Sequence, residues 1–149
     1  VGEVVRLALK PHIPAPDRYV IEGPSVAIGS KQAVSLALTM HEMATNAAKY
    51  GAISAPAGRV LIHWSIGDGP DARFRFEWRE EGGPPVEPPS HTGFGSRLVK
   101  SVMAADFDGK VDVTYNPSGV VLTLVSPAAA LGDPEMPGPA GATVQTAGT

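Results

Sequence analysis

Between Arg73 and Arg79 the chain alternates without a break, setting Phe74, Phe76 and Trp78 against Arg73, Arg75, Glu77 and Arg79. A period of two belongs to an extended strand, whose successive side chains point to opposite faces. The segment therefore predicts a half-buried strand, in a sheet with one aromatic, packed face and one face that is wet or loosely covered. A second clear strand, Arg59 to Ile66, precedes it and joins it through Gly67-Asp68-Gly69-Pro70.

Around this pair the other elements can be read from pattern and punctuation. Val4, Val5, Leu7 and Leu9 suggest the last turns of a helix that ends at Pro11. Arg18 to Glu22 and Ser25 to Ile28 are β-prone runs split by Gly23-Pro24, which predicts a small hairpin. Ser30 suits a helix N-cap and Gly51 a left-handed C-terminal residue, so the longest helix is expected from Lys31 to Tyr50. Glu81 to Thr92 holds four prolines and two glycines and must be a loop. A helix is expected from Gly95 to Phe107, then a hairpin of Val111 to Tyr115 and Val120 to Val125 turning at Asn116-Pro117-Ser118-Gly119. This order predicts an α+β two-layer sandwich, a mixed but mainly antiparallel sheet covered on one face by helices. It lacks the regular β-α-β alternation of a dinucleotide-binding sheet, so Gly93-Phe94-Gly95 is not read as a dinucleotide fingerprint.

At 149 residues the chain suits one domain, expected over 1–127, with an Ala, Gly and Pro-rich tail over 128–149 that reads as disordered or a linker. A net charge of −3 gives no reason to expect nucleic acid. The absence of cysteine rules out disulfides and thiolate metal sites and fits a reducing, cytoplasmic compartment. No apolar run approaches the ~20 residues that span a bilayer. The chain opens at Val1 with neither an initiator Met nor a leader, and reads as part of a longer protein, itself soluble or anchored through upstream segments.

The chemistry concentrates in His41-Glu42-Met43-Ala44-Thr45-Asn46-Ala47-Ala48-Lys49-Tyr50-Gly51. Glu42, Asn46 and Lys49 fall at i, i+4 and i+7, along one face of a helix whose other faces are apolar. A carboxylate, an amide oxygen and an ammonium group together suit a hydrated divalent cation holding a polyphosphate, while a merely solvated face explains the stripe equally well. Two further motifs follow downstream. Glu80-Glu81-Gly82-Gly83-Pro84 closes the alternating strand, and Gly93-Phe94-Gly95-Ser96-Arg97 runs from a glycine turn into a helix. Gly93 and Gly95 let backbone approach an anion at a helix N-terminus, and Ser96 and Arg97 can add donors. Arg97 is equally readable as a surface residue.

Three such motifs in this order resemble the ATP-binding domain shared by sensor histidine kinases, type II topoisomerases and MutL, the Bergerat or GHKL ATPase fold. The likeness is strongest to the HWE group of bacterial histidine kinases, named for a His in the first motif and a Trp-x-Glu in the second, here His41 and Trp78-Arg79-Glu80. It covers Val4 to Pro127. The resemblance implies ATP and Mg²⁺ as ligands, with Asn46 as the metal ligand, and Glu42 as either a base or the group that orients a metal-bound water. It implies phosphate contacts from Lys49 and Tyr50, although Tyr50 also suits core packing, and ATP contacts from Gly82, Gly83, Gly93, Phe94, Gly95 and Ser96. Glu81 to Thr92 would be the lid over ATP.

Glu80 would accept a hydrogen bond from the adenine amine, worth roughly 1.5 to 3 kcal/mol, and so select ATP over GTP. Trp78 would be core or line the adenine pocket. His41 marks the group and is not the phosphoacceptor, whereas His12, His63 and His91 receive no role. The implied activity is transfer of the γ-phosphoryl group to a histidine on an upstream dimerisation segment absent from this chain, for relay to the receiver domain of a response regulator. The full-length protein would be a homodimer, and this segment alone would be unable to autophosphorylate. The rivals are a protein-serine kinase of the anti-sigma-factor type and a nucleotide-binding sensor or scaffold domain.

Overall fold

The computed structural model describes residues 1–13, 15–87 and 94–133, with side chains of the last segment from Arg97 onward. Three α-helices, α1 (Gly2–Leu9), α2 (Ser30–Lys49) and α3 (Phe94–Asp106), pack with a five-stranded sheet. Its strands are β1 (Tyr19–Glu22), β2 (Arg59–Ile66), β3 (Arg73–Glu81), β4 (Lys110–Asn116) and β5 (Gly119–Pro127), in spatial order β1-β2-β3-β5-β4. β1 runs parallel to β2 and every other neighbouring pair is antiparallel, so the mixed, mainly antiparallel α+β sandwich is what forms.

The alternation in β3 decides which way the sheet faces. Phe74, Phe76 and Trp78 are buried, and they stand in register with Ile66, Trp64 and Ile62 of β2. Phe74 stacks on Phe107 at the end of α3 with ring centroids 6.3 Å apart, and Phe76 stacks on Trp64 at 6.4 Å. The helices bring Val5, Leu9, Leu36, Met40, Met43, Ala44, Ala47 and Met103 to this core. Each large side chain so buried contributes about 1.5 to 3 kcal/mol. Arg73, Arg75 and Arg79 lie exposed on the other face.

Four local expectations are corrected. The hairpin over Arg18 to Ile28 does not form, because only Tyr19–Glu22 is a strand and it pairs in parallel with β2 across α2. The segment after it is drawn off the sheet: the Trp64 indole donates to the Pro24 carbonyl at 2.8 Å, and Gly23 lies so close to that ring that a Cβ would sit 2.2 Å from it. Ser30 is not the cap of α2. Gly29 occupies that position, held by its N–H to the Leu131 carbonyl. Gly51 is not left-handed: its φ is −107°, and its N–H closes the helix onto the Asn46 and Ala47 carbonyls. The tail expected from residue 128 begins with an ordered 3₁₀ turn, Ala128–Leu131, that buries Leu131 in the core and is tied to α2 by Gln32. The rest of that tail, 134–149, lies outside the described residues, as do 88–92 of the lid and Gly93.

Candidate nucleotide-binding site

The last three turns of α2 carry the polar stripe. Ala44 and Ala47 face the core, which turns Glu42 and Asn46 to a half-buried flank and leaves Lys49 exposed. Asn46 Nδ2 donates to Glu42 Oε1 over a long 3.4 Å. That contact engages the amide nitrogen and leaves Oδ1 as the acceptor, the kind of neutral oxygen a hard cation takes as a ligand. Among the described residues no group of three or more His, Cys, Asp or Glu side chains could hold a metal. Mg²⁺ characteristically keeps several waters and needs few protein oxygen ligands. Tyr50 is 75% exposed, which excludes core packing for it.

Glu80 is the penultimate residue of β3, on the same face as Trp78, and is only 4% exposed. A carboxylate this deeply buried must have its oxygens satisfied. Oε1 accepts the Ala52 backbone N–H at 3.0 Å, and Oε2 accepts the Trp78 indole N–H at 3.0 Å. Burial pushes the Glu80 carboxyl above its ordinary value, and the bonds from Ala52 and Trp78 pull the other way. Ala52 sits in a 3₁₀ turn, Ala52–Ser54, entered directly from α2 through Gly51. Arg18 fastens the loop behind it, donating from Nε to the Gly58 carbonyl at 2.8 Å and from Nη2 to that of Ala55.

Glycines make the convergence possible. A Cβ on Gly51 would lie 2.1 Å from Glu80 Oε1, and one on Gly83 would lie 2.6 Å from Ala52 Cα. Gly82 has φ +72°, so it both turns the chain and passes close to the Ala57 carbonyl. Glu80, Gly82 and Gly83 thus meet the end of α2, one turn beyond Asn46. Phe94, Gly95 and Ser96 open α3, and their side chains and Gly93 lie outside the described residues. The structure therefore brings Glu80, Gly82 and Gly83 to the turn that follows α2, and pairs Glu42 with Asn46 further back along that helix.

Two contacts had no counterpart in the sequence reading. One is the Trp78 to Glu80 bond. The other joins His12, to which no role had been given, with His41: His12 Nε2 and His41 Nδ1 lie 2.7 Å apart, their rings edge to face. The His12 imidazole is pushed down first by burial and then by the neighbouring His41. The pair ties the end of the α1 segment to α2 one residue before Glu42. Only the i, i+2 spacing of Trp78 and Glu80 hinted at either contact, since His12 and His41 are separated by 29 positions.

No family model matches the chain. Over 111 residues it is 39% identical to a blue-light-activated histidine kinase of Brucella anthropi, a match that covers 74% of this chain and 23% of that protein. The chain thus spans about a quarter of the length of the curated relatives it matches. Its fold is similar to that of the histidine kinase domain from the Erythrobacter litoralis EL346 blue-light activated histidine kinase, with a TM-score of 0.62, 17% identity, and coverage of 89% of this chain and 64% of that one. It is also similar to the catalytic domain of histidine kinase ThkA, with a TM-score of 0.60, 17% identity, and coverage of 91% and 95%.

Proposed function

The chain belongs to the histidine kinases, within their catalytic domain, and from that premise we propose that it binds Mg-ATP and delivers the γ-phosphoryl group to a histidine on a dimerisation segment outside this chain. A response regulator would take the group from there. In fold the chain is also similar to ThkA as solved in complex with the response regulator protein TrrA, with a TM-score of 0.61, 15% identity, and coverage of 87% of this chain and 41% of that one.

The observation that carries the reading is the buried Glu80 carboxylate. Ionising it inside the fold works against stability, so its presence asks for a role other than holding the chain together. At the end of the helix that bears Asn46, it stands where an adenine amine would supply the donor that an ionised carboxylate accepts. Guanine, with a carbonyl at that position, would be repelled.

In this reading Glu80 selects the base, Asn46 offers its Oδ1 to the metal, and Lys49 and Tyr50, both exposed at the helix end, reach the phosphates. Glu42, held against Asn46, orients the attacking side or a metal-bound water. Bound Mg²⁺ supplies charge neutralisation on the phosphates. The protein's part is positioning, together with complementary charge, as phosphoryl transfer requires. A catalytic domain over 1–127, continued by the turn Ala128–Leu131, and a cytoplasmic location belong to the same proposal. Among the described residues no helix is long and apolar enough to cross a membrane.

Calorimetric titration with ATP and GTP, each with and without Mg²⁺, tests this. Mg-dependent binding of ATP with GTP at least tenfold weaker is the expected result. Absence of binding by either nucleotide would remove the kinase reading and leave a scaffold domain.

A further inference from the structure

Trp78 and Glu80 are two residues apart on β3, so both point into the helix layer, and the indole meets the carboxylate edge-on. Trp78 is wholly buried and stands between Ile62 of β2 and Leu122 of β5 in the sheet register. The indole N–H donates to Oε2 while the Ala52 N–H donates to Oε1, so one donor sits on each oxygen and the two bonds set the carboxylate plane. A carboxylate oxygen can accept two hydrogen bonds, so each oxygen keeps one lone pair in a set direction.

We propose that Trp78 is a positioning residue for base selectivity: its indole N–H fixes the Glu80 carboxylate in the orientation, and in the ionised, acceptor-only form, that admits a 6-amino purine and rejects a 6-oxo purine. The inference deepens the reading of Glu80 as the adenine acceptor and rests on it. Its physical basis is that a hydrogen bond to a carboxylate favours the ionised form. Without the indole donor, Oε2 is buried with no partner and the carboxyl is more readily protonated. A protonated carboxyl is a donor, and a donor pairs with the carbonyl of a 6-oxo purine as well as an acceptor pairs with an amine. Loss of the indole N–H should therefore do more than weaken binding: it should erode the discrimination itself.

The test compares ATP with inosine triphosphate, its 6-oxo counterpart, by titration against the wild-type domain and Trp78→Phe. The wild type should prefer ATP. In Trp78→Phe the ATP to inosine triphosphate affinity ratio should fall on the order of tenfold, and fall further as the pH is lowered. A cavity or loosened packing would weaken both nucleotides alike and leave the ratio unchanged.

A measurement on the unmutated protein stands beside it in case the variant folds poorly. The chain has two tryptophans, and the Trp64 indole bonds the Pro24 carbonyl, which does not titrate. With ¹⁵N-labelled indoles, the Trp78 signal should move with pH as Glu80 titrates and move again when ATP is added, while the Trp64 signal follows neither. A wild type that discriminates, with the ratio preserved in Trp78→Phe or with a Trp78 indole blind to pH, overturns this inference and leaves Glu80 as the base selector. A wild type with no preference between the two nucleotides overturns the Glu80 reading, and this inference with it.

Discussion

Replacing Gly51 with Ala would place a methyl group inside the Glu80 carboxylate, since an ideal Cβ there lies 2.1 Å from Oε1 and 3.0 Å from Ala47 Cα. Gly51 is not in the left-handed region that would by itself call for glycine, since φ is −107°. The penalty is therefore overpacking, about 1 to 3 kcal/mol, and it falls on Glu80, the movable partner. Expelling the carboxylate breaks its bonds to Ala52 and Trp78, so ATP affinity should fall about ten- to a hundredfold along with the stability.

A double-mutant cycle isolates the cause. In a Glu80→Ala background the carboxylate is gone and the nearest remaining contact is Ala47 Cα at 3.0 Å, so Gly51→Ala should cost less than about 1 kcal/mol. The coupling between the two sites should then be about 1 to 3 kcal/mol. Urea unfolding of the four proteins measures it, with ATP titration of the two that retain Glu80. If Gly51→Ala costs the same with and without the Glu80 side chain, the glycine is required for some other reason and the steric argument fails.

Asn46→Ala should abolish the Mg²⁺ dependence of ATP binding while leaving the fold intact, because Asn46 makes one long side-chain contact and faces the site; titration with and without Mg²⁺ reads it, and an unchanged Mg²⁺ dependence refutes the metal role. Burial raises the Glu80 carboxyl from its ordinary 4.5, so the folded state binds that proton more tightly than the unfolded one, and the stability it contributes is present below 4.5 and lost as pH rises through the folded value. The stability of the wild type relative to Glu80→Gln should accordingly decline as the pH rises above 4.5; a pH-independent difference would show that the carboxyl is not perturbed. His12 is depressed from 6.5 by burial and by His41, so its contribution is present above 6.5 and lost as pH falls through the folded value. His41→Asn should move the His12 titration upward by NMR, and an unmoved titration would show that the two rings do not interact.

What the sequence made legible was whatever depends on the periodicity of a segment by itself. The alternation from Arg73 to Arg79 placed the aromatics on the core face, and the i, i+4, i+7 spacing put Glu42, Asn46 and Lys49 on one side of α2, as the structure has them. What it hid were contacts between segments that no periodicity links. Gly23 reads as a turn, yet it is glycine because the Trp64 ring lies against it. Gly51 reads as a helix stop, yet its missing Cβ leaves room for the Glu80 carboxylate, 29 positions away. His12 carries no motif and gains a partner only when α1 folds against α2. Ala128 to Leu131 looks like the start of a low-complexity tail, and one leucine in it completes the core.

These cases share a cause. Glycine and alanine are read by local rules as statements about backbone freedom, whereas in this fold several of them state how closely another segment approaches. Around Glu80 that distinction has a functional consequence: Gly51, Gly83 and Ala52 allow the end of α2 to come within hydrogen-bonding distance of the end of β3. The selectivity proposed for the site depends on that approach as much as on the carboxylate itself. A substitution that preserved Glu80 but widened the gap at Ala52 would leave the motif intact and the base unread.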